Sequence, residues 1–198
     1  MDIRLAPMEG VTDAVHRRVH HRLFGGVQQY YIPFITPSIH RVFTTRDLRA
    51  IAPENNAGVP CIPQLLTHDA KLFLWAAQEL ADLGYGEVNL NTGCPSGTVT
   101  AKGRGSGMLR DLDALRAFLD AIFAASPLPV SIKTRCPLSI SMVLPSLVNL
   151  PGSQQVMNTC PSVIWFSTKS CRPASSSDKT SSNNSTGISP DSLCISSR

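Results

Sequence analysis

The sequence predicts an α/β fold in its first two thirds, built from strands that alternate with helices. Apolar runs with strand spacing begin near residues 3, 27, 59, 87 and 129, and helical patterns separate most of them. Such alternation with short links indicates a parallel sheet with right-handed crossovers. Polar residues and a cysteine stand where these strands end, which is where a (β/α)₈ barrel carries its chemistry. We therefore expect residues 1–136 to form about the first five β/α units of a TIM (β/α)₈ barrel, that is, a partial barrel.

Local signals set the expected bounds of these elements. The third strand contains two prolines, which weaken it. Strands are expected over residues 3–6, 27–35, 59–66, 87–91 and 129–133. Three helices are expected between them: from Thr12 or Asp13 to about residue 24, from Thr67 or Asp69 to residue 84, and from Asp111 to about residue 124. Residues 36–58 are expected to be irregular, with a helical turn near 45–48.

The composition changes abruptly after residue 136. Serine occurs 5 times in residues 1–136 and 17 times in residues 137–198, whereas charged residues number 26 and 6. So abrupt a change marks a boundary. We expect residues 137–198 to be a Ser/Pro-rich, largely irregular tail. A shift of reading frame near codon 136 is one origin for it, and a genuine serine-rich appendage is the other.

Composition also bears on which classes of protein this chain could belong to. A net charge of +4 is too small to indicate nucleic-acid binding by itself. No apolar run approaches 18 residues, so we expect no membrane span. The six cysteines lack C-x-x-C spacing, so we expect no metal site. Together with the lack of a secretory leader they indicate a reducing compartment, the cytoplasm.

Residues 87–96, with the sequence EVNLNTGCPS, are the most informative stretch of the chain. In a strand, Asn89 and Asn91 point to the side opposite Val88 and Leu90. Gly93 permits a sharp turn, and Cys94 stands in that turn. Buried asparagines need hydrogen-bond partners, so amides followed by a thiol indicate a functional site. A buried structural cysteine is the alternative interpretation.

This stretch resembles the active-site segment of the tRNA-dihydrouridine synthases, flavin enzymes that reduce uridine in tRNA. Residues 91–96 match the family pattern N-x-G-C-P-S. Three further motifs follow the family order: LAPMEGVTD at 5–13, QLL at 64–66 and KTR at 133–135. The resemblance covers about residues 1–136 and implies a TIM barrel that binds FMN, takes electrons from NADPH, acts on tRNA and is a monomer.

The resemblance also implies roles for individual residues. Cys94 would be the catalytic acid that protonates C5 of uracil, a role open to a thiol because thiols are mostly protonated at neutral pH. Lys133 would hydrogen-bond the pyrimidine side of the flavin. The other cofactor-binding residues would be Pro7, Met8, Glu9 and Gln64. Substrate contacts would come from Asn91 at the uracil edge and from Lys102, Arg104 and Arg135 at the tRNA.

Several alternatives stay open at this stage. One hypothesis is an FMN-dependent tRNA-dihydrouridine synthase; a second is a truncated, non-catalytic remnant of that enzyme, unable to hold FMN because five strands do not close a barrel. A different flavin barrel, reducing a free pyrimidine or an enone, is a third hypothesis. The basic first helix is either an RNA-facing patch or a solvated face. The glycine-rich segment 101–107 is either a polyanion-binding loop or a flexible surface turn.

Overall fold

The computed structural model describes residues 3–135, 158–160 and 163–168. The strands in chain order are β1 (Ile3–Leu5), β2 (Val27–Ile35), β3 (Cys61–Leu65), β4 (Val88–Thr92), β5 (Val130–Thr134), β6 (Asn158–Cys160) and β7 (Val163–Thr168). The α-helices are α1 (Ala14–Leu23), α2 (Thr45–Ile51), α3 (Ala70–Asp82), α4 (Gly97–Thr100) and α5 (Leu112–Ala125). Short 3₁₀ helices occupy Pro53–Asn55 and Gly105–Arg110.

The sheet confirms the predicted fold class. Its strand order is β1-β2-β3-β4-β5-β7-β6, and β1 to β5 are parallel neighbours in chain order. Helices connect most of these strands, so the part of the chain up to residue 135 is a partial TIM barrel of five parallel strands. Every helix in the described segments is too short or too polar to span a bilayer.

Two strands lie in the serine-rich tail. The composition predicted a largely irregular tail, so these strands are a departure from that expectation. β7 pairs with β5 in the antiparallel direction, with Lys133 opposite Trp165, and β6 pairs with β7. The rest of residues 137–198 lies outside the described residues. Within the described part, β7 covers the edge of β5 that a sixth parallel strand occupies in a complete barrel, and β1 and β6 are the outer strands.

The hydrophobic core lies between the sheet and the helices α3 and α5. Phe73 of α3 and Phe118 of α5 make an edge-to-face contact, with ring centroids 6.2 Å apart. Val88 and Leu90 of β4 belong to this core and are fully buried. Because side chains alternate along a strand, the core contacts of these two residues direct Asn89 and Asn91 to the opposite face of the sheet.

Aspartates begin the three main helices, as the sequence predicts. The Oδ1 atoms of Asp13, Asp69 and Asp111 each accept the backbone N–H of the residue three positions later in the chain, at 2.8, 3.0 and 2.9 Å. Between the alternatives that the sequence left open, the caps are therefore Asp13 and Asp69. The helical turn expected near residue 45 is longer, because α2 extends to Ile51 behind a capping box.

Arg17 departs from the solvated basic helix that the sequence suggested for α1. Its side chain is 1% exposed, whereas Arg18 and Arg22 are exposed. Its guanidinium donates to the carbonyl of Thr12 at 2.8 Å and to Oδ1 of Asn56 at 2.6 Å. Arg17 therefore fastens α1 to the segment after α2, and only its neighbours face solvent.

Candidate active site

A chain of four buried polar side chains crosses the inner face of the sheet at β3, β4 and β5. Asn91 Nδ2 donates to Gln64 Oε1 at 2.8 Å, Gln64 Nε2 donates to Asn89 Oδ1 at 2.7 Å, and Asn89 Nδ2 donates to Ser131 Oγ at 2.9 Å. We call this set the amide chain. All four residues are at most 2% exposed. Each bond therefore satisfies a polar group whose burial would otherwise be costly, and the amide chain holds the three strands in register.

The amide chain ends at the turn that carries Cys94. The Oδ1 atom of Asn91 accepts the backbone N–H groups of Gly93 at 3.0 Å and of Cys94 at 2.9 Å. A Cβ atom at Gly93 would lie 3.1 Å from the backbone N of Arg135, a contact tighter than side chains normally make. Asn91 and Gly93 together bring the chain back against the end of β5 and leave Cys94 half-buried at the turn.

Cys94 lines a cleft of about 300 Å³ at the carboxyl ends of the parallel strands. This volume is at the lower end of the range for small-molecule sites, roughly 300–1,000 Å³. The cleft brings together four of the residues predicted from sequence: Glu9, Cys94, Lys102 and Arg104. Its other lining residues were not predicted as site residues: Phe34, Thr36, Leu66, Ser96, Thr98 and Val99.

The remaining predicted residues lie around this cleft without lining it. Gln64 and Asn91 are buried in the amide chain, and Lys133 is the register partner of Asn91 on β5. Pro7 is half-buried after β1, whereas Met8 is 61% exposed and Arg135 is also exposed. The structure therefore places all the predicted positions at one end of the sheet, in three groups: the cleft, the amide chain, and the ends of β1 and β5.

The cationic side chains differ in environment. Burial lowers the pKa of the half-buried Lys133 ammonium; Cys94 opposes this shift, and the charge of Arg135 adds to it. Arg104 is half-buried, and its Nε atom has no hydrogen-bond partner among the described residues. Glu9 pairs with Arg46 at 3.3 Å, but both side chains are largely exposed, so this pair contributes little to stability. A half-buried ammonium and an unsatisfied guanidinium N–H are both suited to donating hydrogen bonds to an anionic or carbonyl ligand.

Sequence reasoning did not identify two residues that matter here, Arg46 and Ser106. Arg46 is at the start of α2, and its contact with Glu9 spans 37 positions of sequence. Ser106 donates to the carbonyl of Cys94 from 12 positions away. The glycines on either side of Ser106 were a visible signal, because they indicate close backbone approach. Nothing local marks Arg46.

The fold and the site define a class, that of (β/α)-barrel proteins whose candidate site lies at the carboxyl ends of the strands. Within this class, the family model for dihydrouridine synthase (Dus) matches residues 4–140. The chain therefore belongs to the dihydrouridine synthase family. The match ends close to the change in composition at residue 136.

Curated relatives agree with the family assignment. The chain is 33% identical to a probable tRNA-dihydrouridine synthase 1 of Synechocystis sp. over 130 residues, which are 66% of this chain and 36% of the relative. It is 33% identical to tRNA-dihydrouridine synthase B of Pseudomonas aeruginosa over 131 residues, 66% of this chain and 39% of the relative. It is 34% identical to tRNA-dihydrouridine(16) synthase of Pseudomonas putida over 143 residues, 68% and 44% of the two chains. The chain thus spans less than half the length of these relatives.

Proposed function

We propose that this chain supplies the cysteine-bearing part of a tRNA-dihydrouridine synthase site, which reduces uridine in tRNA to 5,6-dihydrouridine. One observation carries the proposal above the others. Cys94 lines the cleft at the end of β4, and its backbone N–H is fixed by Asn91, a residue of the same family motif. Family membership and the names of the relatives support this substrate class.

Cys94 is the proton donor in this proposal. Its thiol lines a cleft on a turn that a buried amide fixes, which suits a general acid, since such an acid must be held beside the reacting atom. In the reduction, its proton goes to C5 of the uracil ring. Asn91 Nδ2 has one N–H left after its bond to Gln64, which is the group proposed for the uracil edge.

The residues present fit the pyrimidine side of a flavin. Lys133 is a half-buried ammonium that offers charge to a carbonyl or anionic nitrogen. Lys133 would hold the FMN ring; Pro7, Met8, Glu9 and Gln64 are the other proposed contacts. The chemistry that FMN would supply there, once reduced by NADPH, is a hydride for C6 of uracil.

The tRNA contacts proposed are Lys102, Arg104 and Arg135. Lys102 is exposed on the turn after α4, Arg104 lines the same cleft, and Arg135 is exposed after β5. Cations at the rim of a cleft suit phosphates that flank a base turned out of its stack. No group of three or more potential metal-binding side chains occurs in the described residues, and the proposed reaction uses none.

The proposal is tested by a chimera and by the chain alone. In the chimera, residues 4–135 replace the matched part of the Pseudomonas aeruginosa relative, and it is incubated with NADPH and tRNA that lacks dihydrouridine. Dihydrouridine, detected by mass spectrometry, supports the proposed site; a folded chimera that binds FMN but forms no product contradicts it. The 198-residue chain is assayed in parallel. If only the chimera is active, the isolated chain is the non-catalytic remnant considered above.

A further inference from the structure

The turn at residues 105–107 lies directly against the backbone of Cys94. The carbonyl of Cys94 accepts the backbone N–H of Ser106 at 2.9 Å and its hydroxyl at 3.0 Å. The N–H of Cys94 is bound at the same time by Asn91 Oδ1 at 2.9 Å. The two polar groups of the Cys94 backbone are therefore both fixed, one by the amide chain and the other by Ser106.

The two glycines beside Ser106 make this contact sterically possible. A Cβ atom at Gly105 would lie 2.7 Å from the carbonyl oxygen of Cys94 and 3.1 Å from its Cβ, and Gly105 has a φ of +55°. A Cβ atom at Gly107 would lie 2.8 Å from the carbonyl oxygen of Thr100. Side chains at either position would push the turn away, so the Gly-Ser-Gly sequence is what close approach to Cys94 requires.

The contact also closes the segment that carries the cleft cations. Ser106 bonds back to Cys94, and the N–H of Gly107 bonds to the carbonyl of Arg104 at 3.0 Å. Lys102 donates its N–H to Val99, so residues 94–107 form one hydrogen-bonded unit that includes both cleft cations.

We propose that Ser106 is a positioning residue for Cys94, holding the thiol at the cleft through the Cys94 carbonyl. The inference rests on the role proposed for Cys94, and it adds a residue to that site. Ser106 touches neither substrate nor cofactor in this account. Its hydroxyl restricts the turn that carries the thiol, so the thiol keeps one placement relative to the cleft.

Thiol alkylation of the full 198-residue chain tests the inference without flavin or tRNA. Iodoacetamide is applied under native conditions, and the rate at each cysteine is followed by peptide mass spectrometry. In Ser106→Ala we expect Cys94 to react about fivefold faster, a factor that corresponds to one hydrogen bond of ordinary strength. Cys61, half-buried on β3, is the internal reference and should keep its rate. Ser106→Thr, which retains the hydroxyl, should restore the rate at Cys94, and Gly105→Ala should raise it.

Ser126→Ala is the matched control, because the hydroxyl of Ser126 also donates to a backbone carbonyl, that of Leu128 at 2.7 Å, away from the cleft. An unchanged rate at Cys94 in Ser106→Ala overturns the inference. So does an equal rise at Cys94 and Cys61, which would indicate general loosening of the fold. Because alkylation needs no turnover, the positioning result stands even if the chimera forms no dihydrouridine, so the two failures are distinguishable.

Discussion

At the scale of single residues, the proposed chemistry depends most on Cys94. Cys94→Ala removes the thiol but leaves the backbone N–H that Asn91 binds, so the turn should persist. In the chimera we expect normal FMN content and a loss of dihydrouridine formation of roughly 10²–10⁴-fold, the usual contribution of a general acid. Single-turnover product formation measures it. Cys61→Ala is the matched control and should retain activity; an undiminished rate in Cys94→Ala would remove Cys94 from the mechanism.

The half-buried charge of Lys133 should make the free energy of unfolding depend on pH. Because burial lowers the pKa of its ammonium in the folded state from an ordinary 10.5, the charge opposes folding at pH values below the lowered pKa. This penalty disappears as the pH rises from the folded-state pKa towards 10.5. Lys133→Met should therefore raise the free energy of unfolding at neutral pH, by roughly the 0.5–2 kcal/mol that single stabilising substitutions commonly give. The gain should shrink at alkaline pH.

Urea unfolding of the 198-residue chain at several pH values measures this difference for Lys133→Met. Lys102→Met is the control, since Lys102 is exposed and its substitution should change stability by no more than about 0.5 kcal/mol. In the chimera, Lys133→Met should also weaken FMN retention. A variant with normal FMN and a weaker salt dependence of tRNA binding would instead assign Lys133 to the RNA.

At the scale of elements, α1 is attached to the segment after α2 through Arg17. Arg17→Met removes the donors to Thr12 and Asn56 and leaves those acceptors buried without partners. We expect a loss of about 3 kcal/mol in the free energy of unfolding, because bonds to a charged group contribute more than neutral ones. The urea midpoint should fall with an unchanged slope. Arg18→Met, on the exposed face of the same helix, should have little effect; equal losses in both variants would contradict a special role for Arg17.

At the scale of the whole molecule, the described sheet is open and α1 carries an uncovered apolar ridge. Val15, Val19 and Leu23 of the helix follow one another at intervals of four residues, Val11 precedes the helix at the same interval, and all four are 41–63% exposed. β1 is an outer strand of the sheet. Open edges and contiguous apolar surface both promote association. Complete barrels commonly bind the cofactor phosphate in loops after their seventh and eighth parallel strands. The described residues contain only five parallel strands, so they lack these loops.

We therefore expect the purified 198-residue chain to associate and to hold less than one FMN per chain. Size-exclusion chromatography with light scattering gives the mass, and flavin absorbance gives the FMN content. Val15→Glu with Val19→Glu should reduce association without changing FMN content, because both side chains lie on the exposed ridge. A cooperative monomer with one FMN per chain would show that the described strands and the tail suffice for cofactor binding.

Features that depend on short-range patterns could be predicted from the amino-acid sequence. Alternating apolar runs predicted five parallel strands, cap residues predicted the helix starts to within two positions, and the spacing of Asn91, Gly93 and Cys94 predicted the turn at the end of β4. These features were predictable because each depends on residues within about one turn of helix or one strand. The family motifs also predicted a candidate site at the carboxyl ends of the strands.

Contacts between residues far apart in the chain could not be predicted from the sequence and became visible in the folded structure. Arg17 looked like one cation among several on α1, yet its partner Asn56 is 39 positions away and makes it a buried residue. The hold of Ser106 on Cys94 and the pairing of β7 with β5 also join positions far apart in the chain. The physical reason is that helix and strand periodicity depend on residues close together in the sequence, whereas burial and backbone contact depend on how whole elements pack against one another.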